Sequence, residues 1–468
     1  MSEIDKADNL VENIDDRDNT VGDNQNKTYH RGYHGHDDHR HSHSQGHSHN
    51  GRTHKRYHKR RRHSGRHSRS NNDSKKFIKF LKRRKSLLIN IVSCTISVVL
   101  LILLAINLEI KPKSGWDDTS IVDVTKASIK IESTVFIDDV SITNQAVNAF
   151  IGDNTGKTAH TVYGEYQGYT QDLDGEIPVE YTYKVSGLPS GVNLEMATLE
   201  LSENADFKEG KIYFFEDGKN SVFLYHLIPG TEYHYRLNLS LSSGNNVSTV
   251  GSFRTANSPR ILSIDGIHNV RDIGGWKTTD GKVIKYGLLY RGTELDGGVE
   301  PTYRLTEKGL ADMIATLGIK FDMDLRAETD SKGNILGENV THKNYPVYMY
   351  SDIFAESNEA IVREIFAQLA NEDSYPIYMH CTYGRDRTGT VCYLLEALLG
   401  MSDNDLRKEY ELSAFKDSYA DLEAYAAFTA RVDMFEGNTT QEKVESYLRS
   451  IGVTDEEISN IRNIFLGE

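Results

Sequence analysis

His380-Cys381-Thr382-Tyr383-Gly384-Arg385-Asp386-Arg387-Thr388-Gly389 sets a cysteine and an arginine at the two ends of a short loop. Ile377, Tyr378 and Met379 form an apolar run leading into it. Val391, Leu394, Leu395, Leu398 and Leu399 follow at helical spacing, and Gly400 closes the helix. The stretch therefore reads strand, loop, helix. A loop that opens at a helix N-terminus turns several backbone N–H groups toward one point and forms an anion cradle. Arg387 adds a planar fork that matches two oxyanion oxygens. Cys381 falls at the bottom of the cradle, where a field that holds an anion also favours thiolate over thiol. Such a site both binds a phosphate dianion and attacks it.

Three further motifs precede the loop in order: Asn269-Val270-Arg271-Asp272-Ile273-Gly274-Gly275, Tyr290-Arg291-Gly292 and Asp324-Leu325-Arg326. With Cys381-x5-Arg387 and its neighbours His380, Gly384, Thr388 and Gly389, they make residues 259–468 resemble the bacterial tyrosine-phosphatase family of secreted mycobacterial and listerial enzymes. The resemblance implies an α/β domain, a central sheet flanked by helices, acting on phosphotyrosine, phosphoserine or phosphoinositide.

Phosphoryl transfer needs positioning and charge neutralisation above all. Cys381 is the expected nucleophile, forming a phosphocysteine intermediate. Thr382, Tyr383, Gly384, Arg385, Asp386 and Arg387 surround the phosphate, with Arg387 and the backbone N–H groups holding its equatorial oxygens. Thr388 is placed to donate its hydroxyl to the cysteine sulfur. His380 is expected to fix the loop, and Asn269, Arg271 and Asp272 to brace it from beneath. Gly274 and Gly275 read as tight turns. No metal or other cofactor is called for, because the loop supplies the positive charge.

The general acid has three candidates. The only tryptophans, Trp116 and Trp276, do not precede Pro-Asp, so the acid loop common in the wider superfamily is missing. Asp386 matches the Lys-Asp-Arg pattern of the resembled family, with Arg385 in place of the lysine. Asp352 lies 29 residues before Cys381, where compact superfamily members place their acid. Asp324 matches the Asp-Leu-Arg motif but is read as ordering the loop through an arginine such as Arg326. Asp386 ranks first and Asp352 second. An arginine at 385 keeps the charge of the usual lysine but changes its shape, which bears on inositol-phosphate preference.

The net charge of −14 averages a segregated pattern. Residues 1–26 hold 2 Lys/Arg against 8 Asp/Glu, residues 27–85 hold 19 against 3, and residues 86–468 hold 33 against 57. Between the basic and acidic parts, Ser86 to Leu108 is a 23-residue uncharged stretch rich in Leu, Ile and Val. It is long enough to cross ~30 Å of hydrocarbon as a single transmembrane helix. Lys75, Lys76, Lys79, Lys82, Arg83, Arg84 and Lys85 crowd its N-terminal side, and Lys111 and Lys113 stand on the other. The positive-inside bias then puts the N-terminus in the cytoplasm and the catalytic part outside, at the cell membrane. Three cysteines, Cys94, Cys381 and Cys392, offer no disulfide framework, so the outer part must hold by its core alone.

Residues 1–75 lack apolar periodicity and read as a disordered arm, followed by a polybasic segment at 76–85. Twelve of the 18 histidines lie between His30 and His67. Their density suggests metal binding, but without regular ligand spacing a solvated tail resting on anionic lipid is the simpler reading. No specific nucleic-acid partner is expected. After a linker at 111–118, residues 119–258 read as a β-sandwich of short alternating runs such as Lys211–Phe215 and Ser221–Tyr225. Leu227 to Tyr235 resembles the tyrosine corner of a fibronectin type III module, and Gly251–Thr255 its last strand. Such a module either binds a ligand or spaces the enzyme from the membrane. In the catalytic part, Ile319, Phe321, Met323 and Leu325 alternate as one strand, Pro346–Tyr350 is a second, and Thr439/Glu442 and Thr454/Glu457 read as capping boxes. An anchored external phosphatase is the leading reading. A surface protein that only recognises phosphorylated ligands is the alternative, against which an intact Cys381, Arg387 and Thr388 argue.

Overall fold

A computed structural model describes residues 129–166, 173–417 and 419–467. The arm at 1–75, the polybasic segment at 76–85, the span at 86–108 and the linker at 111–118 lie outside the described residues. Among the described residues no helix is long and apolar enough to cross a membrane.

Seven strands form two antiparallel sheets: β1 (Lys130–Ser133), β2 (Val179–Ser186), β3 (Leu194–Ser202), β4 (Lys211–Phe214), β5 (Ser221–Leu224), β6 (Glu232–Leu241) and β7 (Asn246–Arg254). One sheet has the order β1-β2-β5 and the other β4-β3-β6-β7. Every second residue of β6 from Tyr233 onward is buried, as a strand with one face on the core requires. Tyr181 from the first sheet and Leu199, Tyr235, Leu237 and Phe253 from the second share one apolar cluster. The Tyr233 hydroxyl accepts the N–H of Ile228 at 2.9 Å and ties the strand back to its preceding turn.

Between β1 and β2 the chain makes two helices that the strand reading did not anticipate, α1 (Gln145–Gly152) and α2 (Ala159–Glu165). Their signals are local. Asn144 caps α1 through the N–H of Val147, Thr158 caps α2 through Thr161, and Ala146, Val147 and Phe150 fall on one face. That face packs with Ile261, Leu412 and Phe415, well along the chain.

The second half is built on five strands, β8 (Arg271–Asp272), β9 (Leu289–Gly292), β10 (Phe321–Asp324), β11 (Thr341–Asn344) and β12 (Ile377–His380), in the order β11-β10-β12-β9-β8. All neighbours are parallel except β8 with β9. In register, Asp324, His380 and Gly292 stand side by side at the carboxyl ends, where open parallel sheets present their sites. The helices are α3 (Glu307–Ala311), α4 (Glu356–Leu369), α5 (Asp386–Leu399), α6 (Asp403–Glu411), α7 (Ala414–Asp417), α8 (Leu422–Val432), α9 (Thr440–Ser450) and α10 (Asp455–Leu466). Every residue of α5 from Thr388 to Leu399 is buried, so this helix is the centre of the core, and Gly400 at φ 93° ends it.

Two expectations need correction. Pro346–Tyr350 is not a strand; the edge strand β11 lies just upstream and pairing stops before Pro346, which has no N–H to offer. The chain then closes into a 3-10 turn at Tyr350–Phe354. Thr454 and Glu457 make a full capping box, whereas Glu442 accepts the N–H of Asn438 rather than that of Thr439, so only half of that box forms.

Candidate active site

The loop runs from the end of β12 into the first turn of α5, so its amides and the helix N-terminus converge on one side. Gly384 adopts φ 65°, and a Cβ there would collide with the Gly292 carbonyl. Glycine is therefore obligatory at that bend. Cys381 is buried at the loop base.

The floor beneath the loop is a lattice of buried charges. Glu409 on α6 joins two arginines, accepting from Arg271 Nε at 2.7 Å and from Arg291 Nη1 at 2.6 Å. Arg291 passes the link upward, donating Nη2 to the Gly384 carbonyl at 2.8 Å. Arg271 donates Nη1 to Asn269 Oδ1 at 2.5 Å, and Asn269 donates Nδ2 to the Tyr383 carbonyl at 3.0 Å. Two loop carbonyls are thus held from below. Burial disfavours the Glu409 carboxylate, but Arg271 and Arg291 outweigh it and hold its pKa below the ordinary value. Glu396, buried nearby with both oxygens unpartnered, is pushed far up by burial and then by Glu409.

A second lattice holds the start of the loop. His380 lies between Asp322, 3.0 Å from its Nε2, and Asp324, 3.9 Å from its Nδ1. The first contact is an ion pair out of line for a hydrogen bond. Burial alone would lower the His380 pKa, yet Asp324 and Asp322 together push it up to about 9. Asp322 also meets His342 at 2.8 Å, and its pKa falls to about 2 because the two histidines overcome burial. Asp324 takes Arg326 Nε at 2.9 Å and Nη2 at 2.7 Å, and Arg326 reaches on to Glu294 and to Asp296 at 3.0 Å. Glu294 donates its backbone N–H to the Thr382 carbonyl at 3.0 Å.

The upper groups differ. Arg387 is half-buried and makes no hydrogen bond or ion pair among the described residues. Thr388, expected to donate to the Cys381 sulfur, is fully buried with its hydroxyl unpartnered, so that bond is not formed. Asp386 accepts the Tyr350 hydroxyl at 2.5 Å and Arg385 Nε at 3.3 Å, and Tyr350 in turn meets the Tyr410 hydroxyl at 2.7 Å. Arg385 lies over the rings of Tyr419, at 4.4 Å, and Tyr383, at 5.5 Å. Tyr383 is the exposed aromatic of the loop, edge-on to Tyr303. Asp352 is exposed and its carboxylate has no hydrogen-bond partner among the described residues. Asp272 does not brace the loop. It takes the N–H groups of Gly274 at 2.8 Å and Gly287 at 2.7 Å and pairs with Arg260 at 3.1 Å. No group of three or more His, Cys, Asp or Glu suited to a metal occurs among the described residues.

Residues 262–467 match the sequence model of the tyrosine phosphatase family. The chain carries a cysteine-dependent phosphatase. It is 23% identical over 206 residues to a tyrosine-protein phosphatase of Nostoc commune, covering 34% of this chain and 70% of that one. A tyrosine-protein phosphatase homologue of Cupriavidus necator is 26% identical over 175 residues, covering 32% of this chain and 61% of that one. Among solved structures, the core catalytic domain of a PP-IP phosphatase from S. cerevisiae is similar at 15% identity with a TM-score of 0.23, covering 34% of this chain and 86% of that one.

Several residues of the phosphatase site escaped the sequence reading. Arg291 stood in a quoted motif without a role. Asp322 was legible, since it shares a strand face with Asp324 two positions on. Glu409 and Tyr410 sit in Arg407-Lys-Glu-Tyr-Glu411, which reads as a solvated face yet is largely buried.

Proposed function

We propose that the chain is a membrane-anchored, extracytoplasmic phosphomonoesterase that hydrolyses phosphotyrosine, with phosphoserine and phosphoinositide or inositol phosphate as further substrate classes. One observation carries this reading. Cys381 is buried at the base of the loop, while Arg387 and Thr388 stand over the same loop without partners among the described residues. Every other arginine around the loop base is bound to carboxylates, so Arg387 is the guanidinium left to grip a phosphoryl group.

In the first step the Cys381 thiolate attacks phosphorus in line, an S–P bond forms, and the P–O bond to the leaving group breaks. The leaving oxygen takes a proton from an acid. Asp386 is the first candidate, oriented by Tyr350 and Arg385, and Asp352 the second. In the second step water attacks phosphorus, gives up its proton to the same carboxylate, and the sulfur leaves with its electron pair. Thr388 is placed to turn its hydroxyl toward the departing sulfur. Asp324, bound to Arg326 and close to His380, is assigned the role of ordering the loop rather than of moving the proton. The exposed Tyr383, held edge-to-face by the buried Tyr303, offers an aromatic side chain at the loop, which suits an aryl phosphate.

The uncharged segment 86–108 and its basic N-terminal flank support a single-pass anchor with the phosphatase outside. The three- and four-stranded sheets and the Tyr233 corner support a fibronectin-III-like module at 119–258. The His/Arg-rich arm would rest on anionic lipid, with metal as its other candidate partner.

The test is turnover by the full chain in detergent, with reductant, of phosphotyrosine peptide, phosphoserine peptide and inositol phosphates. Activity that vanishes in Cys381→Ser is expected, strongest on the phosphotyrosine peptide. A wild-type protein inert on all three, yet retaining phosphopeptide, would make it a binding protein. Asp386→Asn should lower kcat on an alkyl phosphate by about 10²-fold and on p-nitrophenyl phosphate far less. The same pattern in Asp352→Asn, with Asp386→Asn unaffected, would move the acid there. Protease protection of the catalytic part on intact cells would refute the topology.

A further inference from the structure

We propose that helices α1 and α2, together with residues 173–176, are a working part of the active site, with Asp174 as a positioning residue for the catalytic loop. The inference rests on the phosphatase reading above and goes beyond it, because it places a determinant of activity outside the family-matched region.

Asp174 is almost completely buried and makes two contacts, both to the turn that supports the loop. Its carboxylate accepts the backbone N–H of Asn269 at 3.1 Å and lies 3.3 Å from His268 Nδ1. Asn269 holds φ 54°, a left-handed conformation that asparagine tolerates better than most residues, and the bond to its N–H helps fix it there. From Asn269 the side-chain amide reaches the Tyr383 carbonyl. A second route runs through rings. His268 packs on Tyr303 at 5.7 Å and Tyr303 on Tyr383 at 5.9 Å. Asp174 therefore addresses the backbone and the side chain of one catalytic-loop residue by separate paths.

The same segment also grips α6. Lys408 Nζ donates to the carbonyls of Ile151 at 2.6 Å and Asp153 at 2.9 Å, capping the C-terminal end of α1. Glu411 accepts the N–H of Ala159 at 2.7 Å at the start of α2. Between these two residues α6 carries Glu409, which joins Arg271 to Arg291, and Tyr410, which meets Tyr350. One side of the helix is fastened to α1 and α2 while the other builds the floor. Phe150 against Phe415, 5.8 Å between centroids, seals the seam. A passive spacer would need none of these buried charged contacts.

The test compares Asp174→Asn and Glu411→Gln with wild type and with Lys208→Ala, all as the full chain in detergent. Lys208 pairs with Asp206 on the exposed surface between β3 and β4 and serves as the control. Steady-state kinetics on p-nitrophenyl phosphate and competitive inhibition by orthovanadate are measured, with thermal melts to report the folded fraction. Each of the first two variants should lose about tenfold in kcat/KM, the scale of one buried charge-assisted hydrogen bond, and bind vanadate several-fold more weakly. The control should match wild type. Variants that melt like wild type and keep its kinetics and vanadate affinity would overturn the proposal, as would an activity loss equal to the unfolded fraction alone. If Asp174→Asn does not fold, Glu411→Gln decides by the same readouts. An inactive wild type would instead sink the phosphatase reading itself.

Discussion

The groups above the catalytic loop and the groups below it are made of the same residue types in opposite states. Below, Arg271, Arg291 and Arg326 are fully buried and each is bound to carboxylates. Above, Arg387 is half-buried and uncommitted among the described residues, and the Thr388 hydroxyl is buried without a partner. A guanidinium bound to buried carboxylates is committed to the floor and contributes rigidity there, even where, as in Arg291, the Nε is left without a partner. An unsaturated one is available to a phosphate. The difference assigns structural and functional roles without reference to spacing.

That contrast can be broken by substitution. Arg387→Ala should lower kcat/KM by about 10³-fold, the upper scale of one lost transition-state donor, with no fall in melting temperature. If the protein loses stability instead, Arg387 belongs to the floor and the contrast is wrong. Glu409→Gln should do the opposite. Removing the carboxylate leaves Arg271 and Arg291 as buried cations short of a counter-charge, which costs about 3–5 kcal/mol. Urea denaturation monitored by tryptophan fluorescence would show it, and an unchanged midpoint would mean that the two arginines find other partners.

A smaller and pH-dependent effect belongs to His380. Its folded pKa is pushed up to about 9 from an ordinary 6.5, so the protonated ring stabilises the fold. This contribution is complete below about pH 6.5 and is lost as the pH rises through 9. It is worth on the order of 3 kcal/mol. His342, raised chiefly by its hydrogen bond to Asp322, acts with the same sign. Stability measured across pH 6.5 to 9.5 should therefore fall in wild type and stay flatter in His380→Asn. Equal slopes would remove His380 from the lattice.

How far the sequence could be read follows the same division. The catalytic loop was legible because strand, loop and helix are contiguous and the helix announces itself by its apolar spacing from Val391 to Leu399. The lattice was not, because its members meet only through the fold. Glu409 reaches Arg271, 138 positions away, and Asp174 reaches Asn269, 95 positions away. A charged run such as 407–411 normally marks a solvated face, and nothing local says that its partners are waiting inside. Asp272 shows the converse error. Asn269 in the same motif reaches the loop and Arg271 the Glu409 floor, but alternation along β8 turns the Asp272 side chain to the turn glycines and Arg260. The helices α1 and α2 had ordinary cap and spacing signals that the surrounding strands masked.

The most direct experiment is rapid acid quench of the full chain during turnover of a phosphotyrosine peptide, followed by peptide mass spectrometry. One phosphoryl group on the peptide containing Cys381, absent in Cys381→Ser, is the expected result. Steady turnover with no phosphoryl group ever trapped on that cysteine, or the group found on another residue, would contradict it.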